Sequence, residues 1–415
     1  MCIFKKKKLI VVVGAGASVE FDMPSVSAID TLFDNWCNQI LSVPSANKSL
    51  YNYLKDEIVS QFKSIARPLK TDTNFEEVLY TAMNLYSLNN DNKTNPVSAF
   101  YDFKNFPNIN DGISPTLRPI EYNDFKHLTS YLIDELLKEF RLRCQTITNS
   151  KQNELNTLKT FLSELEKHFD IGVLTFNYDN VFLSQLNNPT TGFDKNGMFD
   201  PAIGLNNKKW NFIYHVHGSV HFDMRLNSKG LHNVMFNPDL SSSFQQNTSG
   251  RSGQTTPESQ FVLTSNIIAG YGKSYQIQRN PFYLYFTDFA KKIYEADALL
   301  FAGYGFSDTY INNIIAESFD FNRKRPAVVL TYSDNNQDPM QIRQDQWSWN
   351  LINCIATNPH TMSTKNHSTA PAIIDLKINR EFEISKDADK PLSIWHNGFL
   401  EACRNPNLII NELKK

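Results

Sequence analysis

The sequence predicts an α/β protein, a doubly wound and mostly parallel sheet with a large helical insertion. Three observations carry this. First, Leu9-Ile10-Val11-Val12-Val13 is an unbroken aliphatic run, and a run that cannot alternate apolar with polar reads as a strand buried on both faces. Second, comparable apolar runs recur at Ile171–Thr175, Phe212–His217, Ala298–Ala302 and Ala327–Thr331. Third, stretches with helical spacing lie between them, the alternation expected of parallel strands joined by crossovers.

Composition narrows the class. The chain has 415 residues, 41% hydrophobic and 20% charged, enough for a large core in one to three domains. A net charge of −2 gives no general attraction to nucleic acid or anionic membrane. The basic run Lys5–Lys8 reads as a solvated tail. No apolar run approaches the ~18 residues that cross a bilayer, so a cytoplasmic location is expected. The cysteines, Cys2, Cys37, Cys144, Cys354 and Cys403, are scattered without a Cys-x-x-Cys pair, which supports neither a zinc ribbon nor a disulfide framework.

The first strand runs into Gly14-Ala15-Gly16-Ala17-Ser18 and then a helical pattern at Ile29, Leu32, Phe33 and Trp36. Strand, glycine turn and helix is the layout of a phosphate cradle, and equally that of an ordinary tight turn. The third glycine of a dinucleotide fingerprint is replaced by Val19, and there is no Gly-Lys-Ser/Thr. Lys48–Leu88 reads as helical with a break near Pro68, restarting at Thr73 or Asn74 as cap with acids following. Asn89–Pro119 reads as loop, and Phe125–Cys144 and Gln152–His168 as helices. Residues 42–168 thus form a helical insertion between two parts of one domain, 1–41 and 169–335. Pro238–Ser259 reads as a mobile loop, Phe261–Thr264 as a strand, Pro281–Ala296 as a helix with its aromatics in the core, and Thr309–Ser318 as a helix capped by Ser307 or Asp308. In the extension 336–415, packed on the core, a strand is expected at Ala372–Leu376 and a helix at Trp395–Cys403.

Four strands end in polar or glycine clusters: Gly14–Ser18, Asn177–Asp179, His217–Ser219 and Gly303–Asp308. Ligands of open parallel sheets bind outside the carboxyl ends of the strands, so four such clusters are expected to share one crevice. The clusters, with Met23-Pro24, Thr175-Phe176-Asn177-Tyr178-Asp179 and Gly303-Tyr304-Gly305-Phe306-Ser307-Asp308, resemble in chain order the sirtuin-like NAD-consuming proteins of bacterial antiphage defence. The resemblance covers about residues 9–41 and 170–333.

The resemblance implies a Rossmann-like fold and an NAD glycohydrolase that releases nicotinamide and ADP-ribose. It implies that Gly14, Ala15 and Gly16 cradle the pyrophosphate with Ser18 beside it. Asn177 holds the nicotinamide ribose and orients water, Asp179 takes the nicotinamide carboxamide, and His217 is the general base. Gly303, Ser307 and Asp308 line the adenosine side. Two features depart from the family. The four-cysteine zinc module that walls the acyl-lysine groove of the deacylating members is missing, which argues for hydrolysis of NAD over deacylation and for no metal. The Asp-Phe-Arg that usually follows Pro24 is missing too. Histidine suits the assigned role, because its ordinary pKa lies near neutrality.

Two rival functions fit parts of the pattern. A sensor of NAD or ADP-ribose needs no base, whereas this chain has Asn177 and His217. A metal hydrolase would use His215 and His217, two apart on one strand face, with His221 nearby; His215 reads equally as a core histidine. Because an unrestrained NAD hydrolase depletes its own cell, control through a homo-oligomer is expected. The defence resemblance implies a partner such as a HerA-type ATPase.

Overall fold

A computed structural model describes residues 6–65, 72–88, 106–205, 210–226, 232–242, 244, 253–255, 261–263, 265–269, 276–322, 324–336, 346–355, 362–363 and 372–415. The expected break at Pro68, most of the Asn89–Pro119 loop, most of Pro238–Ser259, and Cys2 lie outside these residues. The chain divides into two compact units. One comprises Met1–Met23, Arg143–Val216 and Pro281–Lys415, the other Pro24–Leu142 and His217–Asn280. The helical segment expected at 42–168 is divided between them after Leu142.

The first unit is built on a sheet of eight strands: β1 (Lys7–Val13), β2 (Phe169–Thr175), β3 (Phe212–His215), β4 (Ala298–Ala302), β5 (Ala327–Leu330), β6 (Met362–Ser363), β7 (Glu383–Ser385) and β8 (Leu392–Trp395). Their order is β6-β7-β8-β5-β4-β1-β2-β3. From β8 through β3 all neighbours are parallel, while β6 and β7 run antiparallel at one edge. The parallel core reads 3-2-1-4-5-8, the doubly wound order, with its reversal between β1 and β4. β1 is paired on both sides, Leu9 opposite Ile171 and Ala298, Val13 opposite Thr175 and Ala302. That explains its unbroken aliphatic run, since Leu9 to Val13 are all at most 1% exposed.

The helices of this unit pack in two groups. Gln152–His168 meets Phe399–Arg404 and Pro406–Leu413, and Phe282–Glu295 meets Thr309–Phe321, which in turn meets Gln346–Ile355. Helix 152–168 buries Leu155, Leu158, Phe161, Leu162 and Leu165, a stripe at helical spacing in which each large side chain contributes about 1.5–3 kcal/mol. Phe399 lies against Phe21, Phe161 and Phe182.

Two expectations for the C-terminal stretch are corrected. Ala372–Leu376 is not a strand; Ile373–Asn379 is a helix. Ile373 and Leu376 are buried three apart while Ile374 and Ile378 are exposed, a helical period and not a two-residue one. Trp395 does not begin a helix. It ends β8, and Gly398, at φ +88°, breaks the chain so that the helix runs Phe399–Arg404. Residues 336–415 therefore supply three strands of the sheet.

The second unit contains the helices Val26–Ile40, Leu50–Ser64 and Phe75–Leu88, the part of Tyr122–Ser150 up to Leu142, and the hairpin Phe222–Leu226 with His232–Phe236. Phe33 centres its core, edge-on to Tyr51 and Phe75. The expected start near Thr73 is a reciprocal cap. Asn74 Oδ1 accepts from Glu76 N–H, and Glu77 Oε2 accepts from Asn74 N–H and the Thr73 hydroxyl. Among the described residues no helix is long and apolar enough to cross a membrane.

Candidate functional site

Three of the four strand-end clusters lie in the first unit, at the carboxyl ends of β1, β2 and β4. Because β1 sits between β2 and β4, parallel pairing alone makes these ends neighbours. Gly14 N–H donates to Ala302 O and Gly16 N–H to Gly303 O, each at 3.0 Å, while Phe176 N–H donates to Val13 O at 2.9 Å.

The glycines of β1 and β4 interlock. Gly303 adopts φ +57°, and a Cβ there would lie 2.0 Å from Ala17 N. A Cβ on Gly14 would lie 2.6 Å from Gly303 O. Only glycine tolerates both the left-handed backbone and this approach. Gly14 is buried and Ala15 and Gly16 are exposed at the start of the short helix Ala15–Val19.

Asn177 ties β2 to this turn. Its Nδ2 donates to Gly14 O at 3.0 Å and to Ser18 Oγ at 2.8 Å, and its own N–H donates to Thr175 Oγ1. Asp179 Oδ1 accepts from Val181 N–H at 3.0 Å. Ser18, Asn177 and Asp179 are all buried. Burial holds the Asp179 carboxyl above its ordinary pKa, and the bond from Val181 N–H opposes that shift without cancelling it.

The turn after β4 is a rigid aromatic knot. Phe306 has φ +53°, a conformation rare outside glycine. Its ring lies against Phe301, Tyr304 and Trp347. Asn312 spans the turn, with Nδ2 donating to Phe306 O at 2.7 Å and Oδ1 accepting from the Tyr304 hydroxyl at 3.0 Å. Burial pushes the Tyr304 phenol well above its usual pKa, so it stays a donor. Ser307 is exposed, and Asp308 caps Thr309–Phe321 through Ile311 N–H at 3.2 Å. Asn312 was invisible to motif reading; its only signal is an amide on the buried side of a helix one turn after a cap.

His217 belongs to the second unit. The third strand ends at His215, shorter than expected, and His217 follows in a turn. In that unit the buried His217 accepts from Ile268 N–H at 2.7 Å through its carbonyl. Gly218 adopts φ +101°, where a Cβ would meet Asn266 O at 2.4 Å. Arg141 donates to Val220 O at 3.0 Å and Asn266 Nδ2 to Phe222 O at 2.8 Å, holding the turn that follows. His221 Nδ1 lies 2.8 Å from Asn237 O. That carbonyl can only accept, so Nδ1 carries the hydrogen, and burial holds the ring below its ordinary pKa. His215 is buried in the first unit. Among the described residues no group of three or more His, Cys, Asp or Glu side chains is placed to hold a metal.

The search of curated proteins found no match. Among solved structures, a Sir2 homologue in complex with NAD is 10% identical with a TM-score of 0.36, over 98% of this chain and 91% of the other. A Sir2 homologue mutant in complex with ADP-ribose is 11% identical with a TM-score of 0.33, over 80% and 82%. Residues 172–354, which contain Asn177, Asp179, His217, Gly303, Ser307 and Asp308, match the family model described as SIR2-like domain. Over residues 172–354 the chain is therefore similar to the SIR2-like domain family.

Proposed function

We propose that the protein cleaves the N-glycosidic bond of NAD, yielding nicotinamide and ADP-ribose. The observation that carries this reading is the hydrogen bonding of Asn177 to Gly14 and Ser18. It puts a polar amide from β2 on the glycine turn of β1, beside the reversal of strand order where open α/β sheets take their ligands. The SIR2-like match supports NAD as the substrate.

In this mechanism the turn Gly14-Ala15-Gly16 receives the pyrophosphate, and the Gly303–Asp308 turn lines the adenosine side. Loss of neutral nicotinamide leaves cationic character on the ribose, which Asn177 meets by holding a ribose hydroxyl and the attacking water. His217 accepts the water's proton as it adds to the anomeric carbon; such a base contributes about 10²–10⁴-fold. We further propose that the enzyme is an antiviral-defence effector held in check by assembly, as a homo-oligomer with a partner such as a HerA-type ATPase.

The test is incubation of purified protein with NAD, with chromatographic resolution of products. Stoichiometric nicotinamide and ADP-ribose, unaffected by chelator, is the expected result. Cyclic ADP-ribose as the main product, or activity lost with removal of about one tightly held zinc per chain, would replace hydrolysis with cyclisation or with metal chemistry.

A further inference from the structure

Away from the glycine turn, the carboxyl ends of β5 and β8 bring a serine, a histidine and a glutamate together. Backbone pairing continues past both strands. Thr331 N–H donates to Trp395 O at 2.9 Å, and Ser333 N–H to His396 O at 3.2 Å. β7 runs antiparallel to β8 with Glu383 opposite Ile394, so its first residue lies beside the end of β8. The side chains then meet. Ser333 Oγ is 2.8 Å from His396 Nδ1, and His396 Nε2 is 3.0 Å from Glu383 Oε2. A carboxylate has no hydrogen to give, so Nε2 carries one, and Nδ1 of the neutral ring accepts from the Ser333 hydroxyl. A hydroxyl on a base that an acid in turn orients is the arrangement that activates a serine. The serine takes Nδ1 and the acid Nε2, the reverse of the serine-protease order, but roles follow geometry and either ring nitrogen can be the base. Ser333 is 6% exposed, while its neighbours Tyr332 and Asp334 are both exposed. The hydroxyl therefore sits just beneath the surface, where a small group can reach it and a bulky one cannot.

We propose that Ser333, His396 and Glu383 form a second catalytic site, one that hydrolyses esters of small acyl groups. Ser333 Oγ adds to the ester carbonyl carbon while its proton passes to His396 Nδ1. The bond from that carbon to the alcohol oxygen breaks, and the proton goes to the departing alcohol, leaving acyl-Ser333. Water adds to the acyl carbon, again giving its proton to His396, and the carboxylic acid leaves as the proton returns to Ser333 Oγ. Ester and water become acid and alcohol, with no oxidant or metal required. Ser333 and His396 are the catalytic residues. Glu383 is a positioning residue that fixes the ring's tautomer and steadies its charged form. The site lies at strand carboxyl ends, where open α/β sheets take their ligands, and the proposal does not draw on the NAD-cleavage reading.

The test uses the full chain with two probes, diisopropyl fluorophosphate, which marks activated serines, and p-nitrophenyl acetate, an ester with a small acyl group. Peptide mass spectrometry is expected to find the diisopropylphosphoryl adduct on Ser333 of wild type at neutral pH. p-Nitrophenyl acetate should be hydrolysed, and prior labelling should abolish that hydrolysis. In His396→Ala, labelling is expected to slow by about 10²–10⁴-fold, the share of a positioned base. In Glu383→Gln, which keeps the side chain's size and loses its charge, it should slow by at least about tenfold, with circular dichroism confirming that each variant is folded. Should His396→Ala not fold, wild type and Glu383→Gln decide the matter. Absence of the adduct from Ser333, under conditions that label a reference serine esterase, overturns the proposal and leaves the three residues a structural tie between strand ends. Labelling at Ser333 that proceeds at the wild-type rate in the folded variants overturns it too, as does labelling without hydrolysis of the acetate.

Discussion

Asn177 gives up both amide hydrogens inside the fold, to Gly14 O and Ser18 Oγ. Removing it should cost chemistry more than stability. Asn177→Ala and His217→Ala are each expected to lower NAD turnover by at least about 10²-fold while the circular dichroism spectrum stays that of a folded protein; Asn177→Ala also gives up the bonds to Gly14 O and Ser18 Oγ and should melt somewhat lower, at about 0.5–1.5 kcal/mol per bond. Retained turnover in a folded variant refutes that residue's role. Asp179 allows a prediction with a sign. Its pKa is raised in the folded state by burial, so the ionised group costs stability at neutral pH. The favourable contribution of its protonated form is complete below the unfolded value of about 3.9 and is lost as pH rises through the higher folded value. Asp179→Asn, which is never ionised, should melt higher than wild type near pH 7. The difference should shrink as pH falls through the raised folded pKa, a trend that thermal denaturation against pH reads directly.

At the scale of an element, the turn after β4 is held open in one shape by Asn312, which ties Phe306 O to the Tyr304 hydroxyl. Asn312→Ala leaves a buried carbonyl unsatisfied, at about 1–3 kcal/mol. We expect urea denaturation to show a loss of that size, and, with the turn lining the adenosine side as proposed, NAD kinetics to show a raised KM with a smaller change in kcat. An unchanged KM would separate this turn from substrate binding. The helix Ile373–Asn379 teaches a related point about elements. A short apolar segment fits either a strand or a helix, and burial of Ile373 with Leu376 is a property of its neighbours.

At the scale of the whole molecule, the expectation concerns control. Exposed aromatic side chains include Tyr283, Tyr294, Tyr310 and Phe321 on the helices Phe282–Glu295 and Thr309–Phe321. Assembly into a homo-oligomer should appear in light scattering, with specific activity that changes across the concentration range where the oligomer forms. A monodisperse monomer with concentration-independent activity would end the assembly proposal.

Sequence alone determined the parallel sheet, because that is written in local chemistry. An aliphatic run with no alternation admits few environments besides a strand buried on both faces, and Leu9–Val13 and Ala298–Ala302 occupy them. Glycine and polar residues at strand ends were legible for the same reason. What only the tertiary structure decided was partnership. Gly14 is required because Gly303 lies against it, 289 positions along the chain, and a spacing pattern within one segment carries no record of that contact. Ser18 accepts a hydrogen bond from Asn177 Nδ2, 159 positions along the chain, a partnership that neither segment's spacing records. The C-terminal strand Leu392–Trp395 joined the sheet through hydrogen bonds to Ala327–Leu330. Backbone pairing is available to any extended segment, so the choice between coil and strand there was made by the free edge of β5.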